Sequence, residues 1–292
     1  MRSVIAWLAT PLLLASAALA NDLANSGFAS SLQGWTVPSG AAVWSPIDAD
    51  GKAGSGSLVL TNSEAGALAS VTVSQCVNLP PGAATVRFRG RPYVPSGQSR
   101  TGRGYASVSW FSQPNCSAFL SGSGFPITNN LAFDTWGPSS GTGPPFLVEA
   151  GAQSANFEFS VLKHESGGGL TIHFDSGIFI ASSSLELQGA RFSVYADWET
   201  GAGDTGLAHA VQLTSDAGYL WFFGSTNIEA VVKVLNGCSL NQRYWVFAAG
   251  LTNVRVVLYV HDRQTGAVKT YVNPQGTKFE AIQDTAAFAT CP

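Results

Sequence analysis

Apolar and polar residues alternate along this chain in short runs, and Gly, Pro, Ser and Asn separate the runs. Alternation is the period of half-buried strands, and helix formers in series are almost absent. The densest apolar run, 218–238, reads as two strands around a turn at Ser225-Thr226-Asn227. The first strand, 219–223, is aromatic at both parities, so both of its faces are expected to be covered. The second, 228–235, is rich in β-branched residues, with Glu229 and Lys233 at polar positions. The pair is expected as the central hairpin of a C-terminal β unit.

Upstream, strands are predicted at 57–61, 67–77, 85–94, 105–112, 156–162 and 170–180. In the third of these, Val86 and Phe88 share one face, and Arg87, Arg89 and Arg91 share the other. A short polar joint follows at 181–184. The pattern then restarts with strands at 185–187, 191–198, 208–213, 244–248, 254–260 and 267–272. Gly266 closes a turn in which it can take positive φ. Short, evenly spaced strands with Gly- and Pro-rich loops predict an all-β protein. The expected order is a jelly-roll sandwich over 21–183, then a second, smaller antiparallel β-sandwich over 184–292.

The first 20 residues change the picture. Arg2, an apolar run from Val4 to Leu14 and Ala18-Leu19-Ala20 make the tripartite pattern of a secretory signal peptide. Pro11 and the shortness of the run argue against a membrane-spanning helix. Without Arg2 the chain has 14 basic and 18 acidic residues, a formal net charge of −4. No part is strongly basic, so no nucleic-acid partner is expected. Four cysteines in an exported chain suggest disulfides, with three pairings available. The spacing favours Cys76–Cys116 and Cys238–Cys291, one bridge in each half.

The N-terminal half resembles the galactose-binding-like jelly roll of carbohydrate-binding modules. The residues that carry the likeness are Asn25-Ser26-Gly27-Phe28, Leu32-Gln33-Gly34-Trp35, Gly54 to Leu58, Gln75 to Leu79, and Ile172-His173-Phe174-Asp175. The resemblance implies a structural calcium held by an early acid and the late Asp. Asp175 is present, Asp48 and Asp50 lie in the loop before Gly54, and Ala29 stands where the early acid is expected. The C-terminal half is similar to an uncharacterised domain at the ends of bacterial secreted proteins. It carries Arg191-Phe192, Trp198, Gly218 to Phe223, Tyr244 to Phe247 and Asn273-Pro274. That likeness implies an extracellular β domain and no particular activity.

Sugar-binding platforms are flat aromatic rings, but large rings are core residues by default. Trp35 and Trp110 are expected in the core, whereas Tyr93 and Trp136 sit beside Pro- and Gly-rich loops and are the candidate platform. Arg87, Arg89 and Arg91 offer planar forks for sugar hydroxyls or uronate carboxylates, against the plainer reading of a solvated face. His173 and Asp175 share a strand face and are expected as a structural pair. No Gly-x-Ser-x-Gly elbow, His-Glu-x-x-His pair or phosphate loop occurs, and no two carboxylates stand in a glycosidase motif. The expectation is a secreted, periplasmic or surface-exposed, non-catalytic protein that binds a polysaccharide or other glycan. The alternatives are an adhesive or structural surface protein and a polysaccharide hydrolase with an unrecognised site.

Overall fold

A computed structural model describes residues 21–138 and 145–292; the export segment expected at 1–20 lies outside the described residues. Nine strands make the first sandwich. They are β1 (Ala42–Ser45), β2 (Ser57–Asn62), β3 (Ser70–Asn78), β4 (Ala83–Tyr93), β5 (Gly102–Gln113), β6 (Ser117–Pro126), β7 (Phe146–Leu147), β8 (Ser154–Lys163) and β9 (Leu170–Ser183). One antiparallel sheet runs β1-β2-β9-β4-β7 and the other β3-β8-β5-β6. The alternating apolar positions of both sheets meet between them in one core. Phe174 of β9 stacks on Phe159 of β8 at 4.7 Å between ring centroids, and Phe88 of β4 reaches Phe157 of β8 at 6.3 Å. Trp35 and Trp110 are buried in this core, as their sequence contexts suggested.

The second sandwich begins one residue after β9. Its strands are β10 (Leu185–Leu187), β11 (Phe192–Glu199), β12 (Thr205–Leu207), β13 (His209–Gln212), β14 (Ala217–Trp221) and β15 (Ala230–Asn236). A four-residue helix, α1 (Cys238–Asn241), precedes β16 (Tyr244–Gly250), β17 (Arg255–Asp262), β18 (Val268–Asn273) and β19 (Ile282–Phe288). One sheet runs β10-β11-β17-β18, with β12 on β11, and the other runs β13-β14-β15-β16-β19. They enclose a second, separate core. Cys76 is bonded to Cys116 and Cys238 to Cys291. The second bridge spans 53 residues and ties the C-terminal tail to α1. In the chain-entropy model a loop of that size contributes about 4 kcal/mol. Among the described residues no helix is long and apolar enough to cross a membrane.

The central hairpin is present as β14 and β15, with Gly218 opposite Val232, but β14 is not covered on both faces. Leu220 is buried, whereas Tyr219 and Trp221 are only half-buried, because they point away from the second core. Strands β1, β6, β7, β12 and β19 were not anticipated. The longest of these, β6, reads Ser-Ala-Phe-Leu-Ser-Gly-Ser-Gly-Phe-Pro and lacks the β-branched residues that mark a strand. It forms by pairing with β5 at the edge of its sheet and is exposed for most of its length.

The two sandwiches pack against each other. The polar joint expected at 181–184 is mostly strand, since β9 pairs with β4 as far as Ser183 opposite Ala83. Its serines are docking points: Ser182 Oγ donates to the Ala208 carbonyl at 2.6 Å, and Ser183 Oγ to the Ala210 carbonyl at 3.2 Å. Further along the same sheet face, Arg87 reaches Asp197 of β11 at 2.6 Å and Arg89 reaches Thr205 of β12 at 2.9 Å. Tyr259 of β17 donates to Asp197 at 3.0 Å and stacks on Tyr195 at 5.2 Å, with Leu147 packed against the ring pair. The outer face of the β1-β2-β9-β4-β7 sheet is therefore divided. One end lies under the second sandwich and the other is open.

Candidate ligand-binding face

The open end is built on β4 and β9. Tyr93 of β4 lies opposite His173 of β9, and Arg91 lies opposite Asp175. A register shift between Arg89 and Arg91, at Ser176 with φ 51°, separates this open pair of rows from the covered ones. The loop after β6 returns beside Tyr93 and forms an isolated antiparallel bridge through Trp136. Three rings thereby converge. Tyr93 and Trp136 are 5.4 Å apart between centroids, and His173 stands edge-on to both, at 5.2 and 6.4 Å. His173 is buried, and its Nδ1 contacts the Ser57 hydroxyl at 3.2 Å, whereas Tyr93 and Trp136 keep part of their surface in solvent. Burial holds the His173 imidazole below its ordinary pKa, which favours the neutral ring.

Polar groups surround the rings. The Tyr93 hydroxyl donates to Asp134 at 3.3 Å, and the Ser96 amide donates to the same carboxylate oxygen at 2.8 Å. The Ser96 hydroxyl and amide hold the Asp134 pKa below its usual range. Arg91 donates from Nε to the Gly137 carbonyl at 3.1 Å and from Nη1 to Asp50 at 2.6 Å. It thus ties the Trp136 loop to the loop after β1. Lys52 also reaches Asp50, at 3.3 Å.

The structure brings Tyr93, Trp136 and Arg91 together and takes Arg87 and Arg89 elsewhere. The expected fork of three arginines therefore does not form. Arg87 and Arg89 share the face of Arg91, as their alternation requires, but both are buried beneath the second sandwich. Burial, and next the neighbouring Arg87 charge, pull the Arg89 pKa down to about 10. Two neighbours of the rings were missed as site residues. His173 had been read as half of a structural pair, yet its nearest partners are Ser57 and the two rings. Asp134 carries only a faint signal, an acid two residues before an aromatic in a loop.

The carboxylates implied for calcium lie in one neighbourhood with other partners. Asp175 accepts the amides of Ala49 at 2.8 Å and Ser176 at 2.5 Å, and burial pushes its pKa up to about 6 against those two bonds. Asp48 Oδ1 accepts the amides of Asp50 at 2.9 Å and Lys52 at 2.7 Å. Asp50 is paired with Arg91 and Lys52. Among the described residues no group of three or more His, Cys, Asp or Glu is placed to hold a metal. A hard cation needs six or more oxygens, and these carboxylates already serve amides and cations.

No protein-family model matches this chain, and no curated protein matches it. Among solved structures it is similar to the enzymatically active domain of bacteriophage CBA120 tailspike protein 4, at 18% identity and TM-score 0.40. That match covers 55% of this chain and 21% of the other. It is also similar to TmCBM61, solved in complex with β-1,4-galactotriose, at 14% identity and TM-score 0.35, over 55% of this chain and 98% of that one. A third likeness is to carbohydrate-binding modules of the β-sandwich superfamily, described for promiscuous specificity. It stands at 16% identity and TM-score 0.37, over 56% of this chain and 61% of that one. Likenesses this distant carry no argument about what this chain binds.

Proposed function

We propose that this is an exported, non-catalytic carbohydrate-binding protein whose ligand lies on the open end of the β1-β2-β9-β4-β7 sheet. The observation that carries this reading is the partly exposed pair of Tyr93 and Trp136, 5.4 Å apart and backed by buried His173. An aromatic surface held by a sheet and a bridged loop suits the apolar face of a pyranose. Hydrogen-bonding groups at its rim suit the hydroxyls. Two disulfides fit an oxidising compartment, which supports export. Calcium enters this reading only as a variable of the test.

The test is isothermal titration of the full chain against soluble polysaccharides, with calcium and with chelator, for wild type and Trp136→Ala. Losing roughly 60 Å² of ring contact at about 25 cal/mol per Å² removes about 1.5 kcal/mol, more than tenfold in affinity. Equal binding by the variant would remove the site from Trp136. Binding to no polysaccharide would remove the function.

A second reading, adhesion through protein contacts, has one observation in its favour. Edge strand β6 is ten residues long without a charge, and its Phe119 is 63% exposed. Natural edges are commonly blunted by charge; β6 has none, and its one Pro is its last residue, Pro126, so most of its backbone is left as a template for pairing with another chain. Analytical ultracentrifugation should then show concentration-dependent assembly that Phe119→Lys abolishes; a monomer at all concentrations would dismiss self-assembly.

A further inference from the structure

We infer that the open face discriminates against acidic glycans and takes neutral ones. This rests on the carbohydrate-binding reading above and specifies the ligand class. The reason is the way the fold distributes charge over a face that alternation alone would make basic.

Arg87, Arg89, Arg91 and Tyr93 share one face of β4. The second sandwich covers Arg87 and Arg89, which are each 8% exposed and engage Asp197 and Thr205. Neither can meet a ligand at the Tyr93 rings. Arg91 remains, but two of its donors are committed, Nε to the Gly137 carbonyl and Nη1 to Asp50. A uronate carboxylate is bound best by two parallel donors on one edge of a guanidinium. Each two-donor edge of Arg91 includes a nitrogen that is already bonded. Lys52, the other nearby cation, points to the same Asp50.

Carboxylates outnumber these cations. Asp134 holds the Tyr93 hydroxyl, Asp50 holds Arg91, and Asp48 and Asp175 flank Ala49 in the adjoining loop and strand. Asp134 and Asp50 are exposed at this end of the sheet, and Asp175 is buried opposite Arg91, so four carboxylates against two cations leave a surplus of negative charge there. Sugar hydroxyls can donate to such oxygens, whereas a uronate brings a like charge. A unit charge about 6 Å from a carboxylate in a high-dielectric setting weakens binding roughly threefold, so two surplus charges weaken it about tenfold. Exposed charges are screened, so the discrimination shrinks as salt rises.

The test uses the full chain and tryptophan fluorescence titration. The probes are neutral galactan, β-glucan, xyloglucan and mannan, set against polygalacturonate and alginate, each at 20 and 300 mM salt. At least one neutral glycan is expected to bind about tenfold tighter than either polyuronate at low salt, with the gap closing at high salt. Asp50→Asn frees Arg91 and Lys52 and should narrow the neutral-to-acidic ratio by roughly threefold or more. Asp134→Asn, at an exposed loop position, should narrow it in the same direction and serves if the first variant folds poorly. Polyuronate binding equal to or tighter than neutral binding in the wild type would overturn the inference and leave the carbohydrate reading standing. Binding to neither class would overturn both.

Discussion

Asp197 is the group on which the packing of the two sandwiches turns. It accepts Arg87 Nη2 at 2.6 Å and the Tyr259 hydroxyl at 3.0 Å, and Arg255 stands 3.6 Å away. Arg87 has no such reserve: its Nε is buried without a partner among the described residues. Asp197→Ala therefore leaves a buried guanidinium with no acceptor, which costs about 3–5 kcal/mol. Arg87→Met leaves Asp197 with Tyr259 and Arg255 and should cost about 1–3 kcal/mol. The double variant Arg87→Met/Asp197→Ala removes both charges and leaves an apolar side chain at 87, and it should lie within about 2 kcal/mol of wild type. The pair would then show a coupling of several kcal/mol in a double-mutant cycle. Urea unfolding followed by tryptophan fluorescence and circular dichroism reads all four proteins. In Asp197→Ala the single transition should also separate into two as the sandwiches undock. A loss under 1 kcal/mol for Asp197→Ala, or a double variant equal to the sum of the singles, would refute the reasoning.

A further prediction concerns acid stability. Asp262 is fully buried, and Arg191 donates to it from Nε at 3.3 Å and Nη2 at 2.9 Å. Burial raises its pKa, but the Arg191 bonds win and hold it at about 2. A carboxylate depressed from near 4 contributes stability above its unfolded pKa, and that contribution is lost as pH falls from about 5 towards 2. The depression is worth on the order of 2 to 3 kcal/mol. Urea midpoints measured from pH 7 to 2.5 should fall more steeply in wild type than in Asp262→Asn. Parallel curves would show that this pair does not set the acid limit.

Much of the fold is legible in the local pattern. Alternation at Val86-Arg87-Phe88-Arg89 correctly places two residues in the core and two outside it. The all-β class, the two disulfides and the core role of Trp35 follow from period, count and context. Strands such as β6 do not, because a Ser- and Gly-rich edge is held by its neighbour's backbone and not by its own propensity. The face of β14 was misjudged for a related reason. Aromatic content says that a strand favours contact, but the presence of a second layer over Tyr219 and Trp221 is decided elsewhere in the chain.

The candidate site divides along the same line. By itself, the sequence determined that Arg87, Arg89 and Arg91 point one way, and that Tyr93 and Trp136 belong to loop margins. Only the tertiary structure decided that Trp136 comes back to Tyr93, that His173 backs both rings, and that two of the three arginines face Asp197 and Thr205. The physical reason is range. A period of two fixes which side chains share a face, since it follows from the geometry of one strand. What covers that face depends on contacts about a hundred residues apart, such as Arg87 with Asp197, whose energy appears only when both sandwiches have formed.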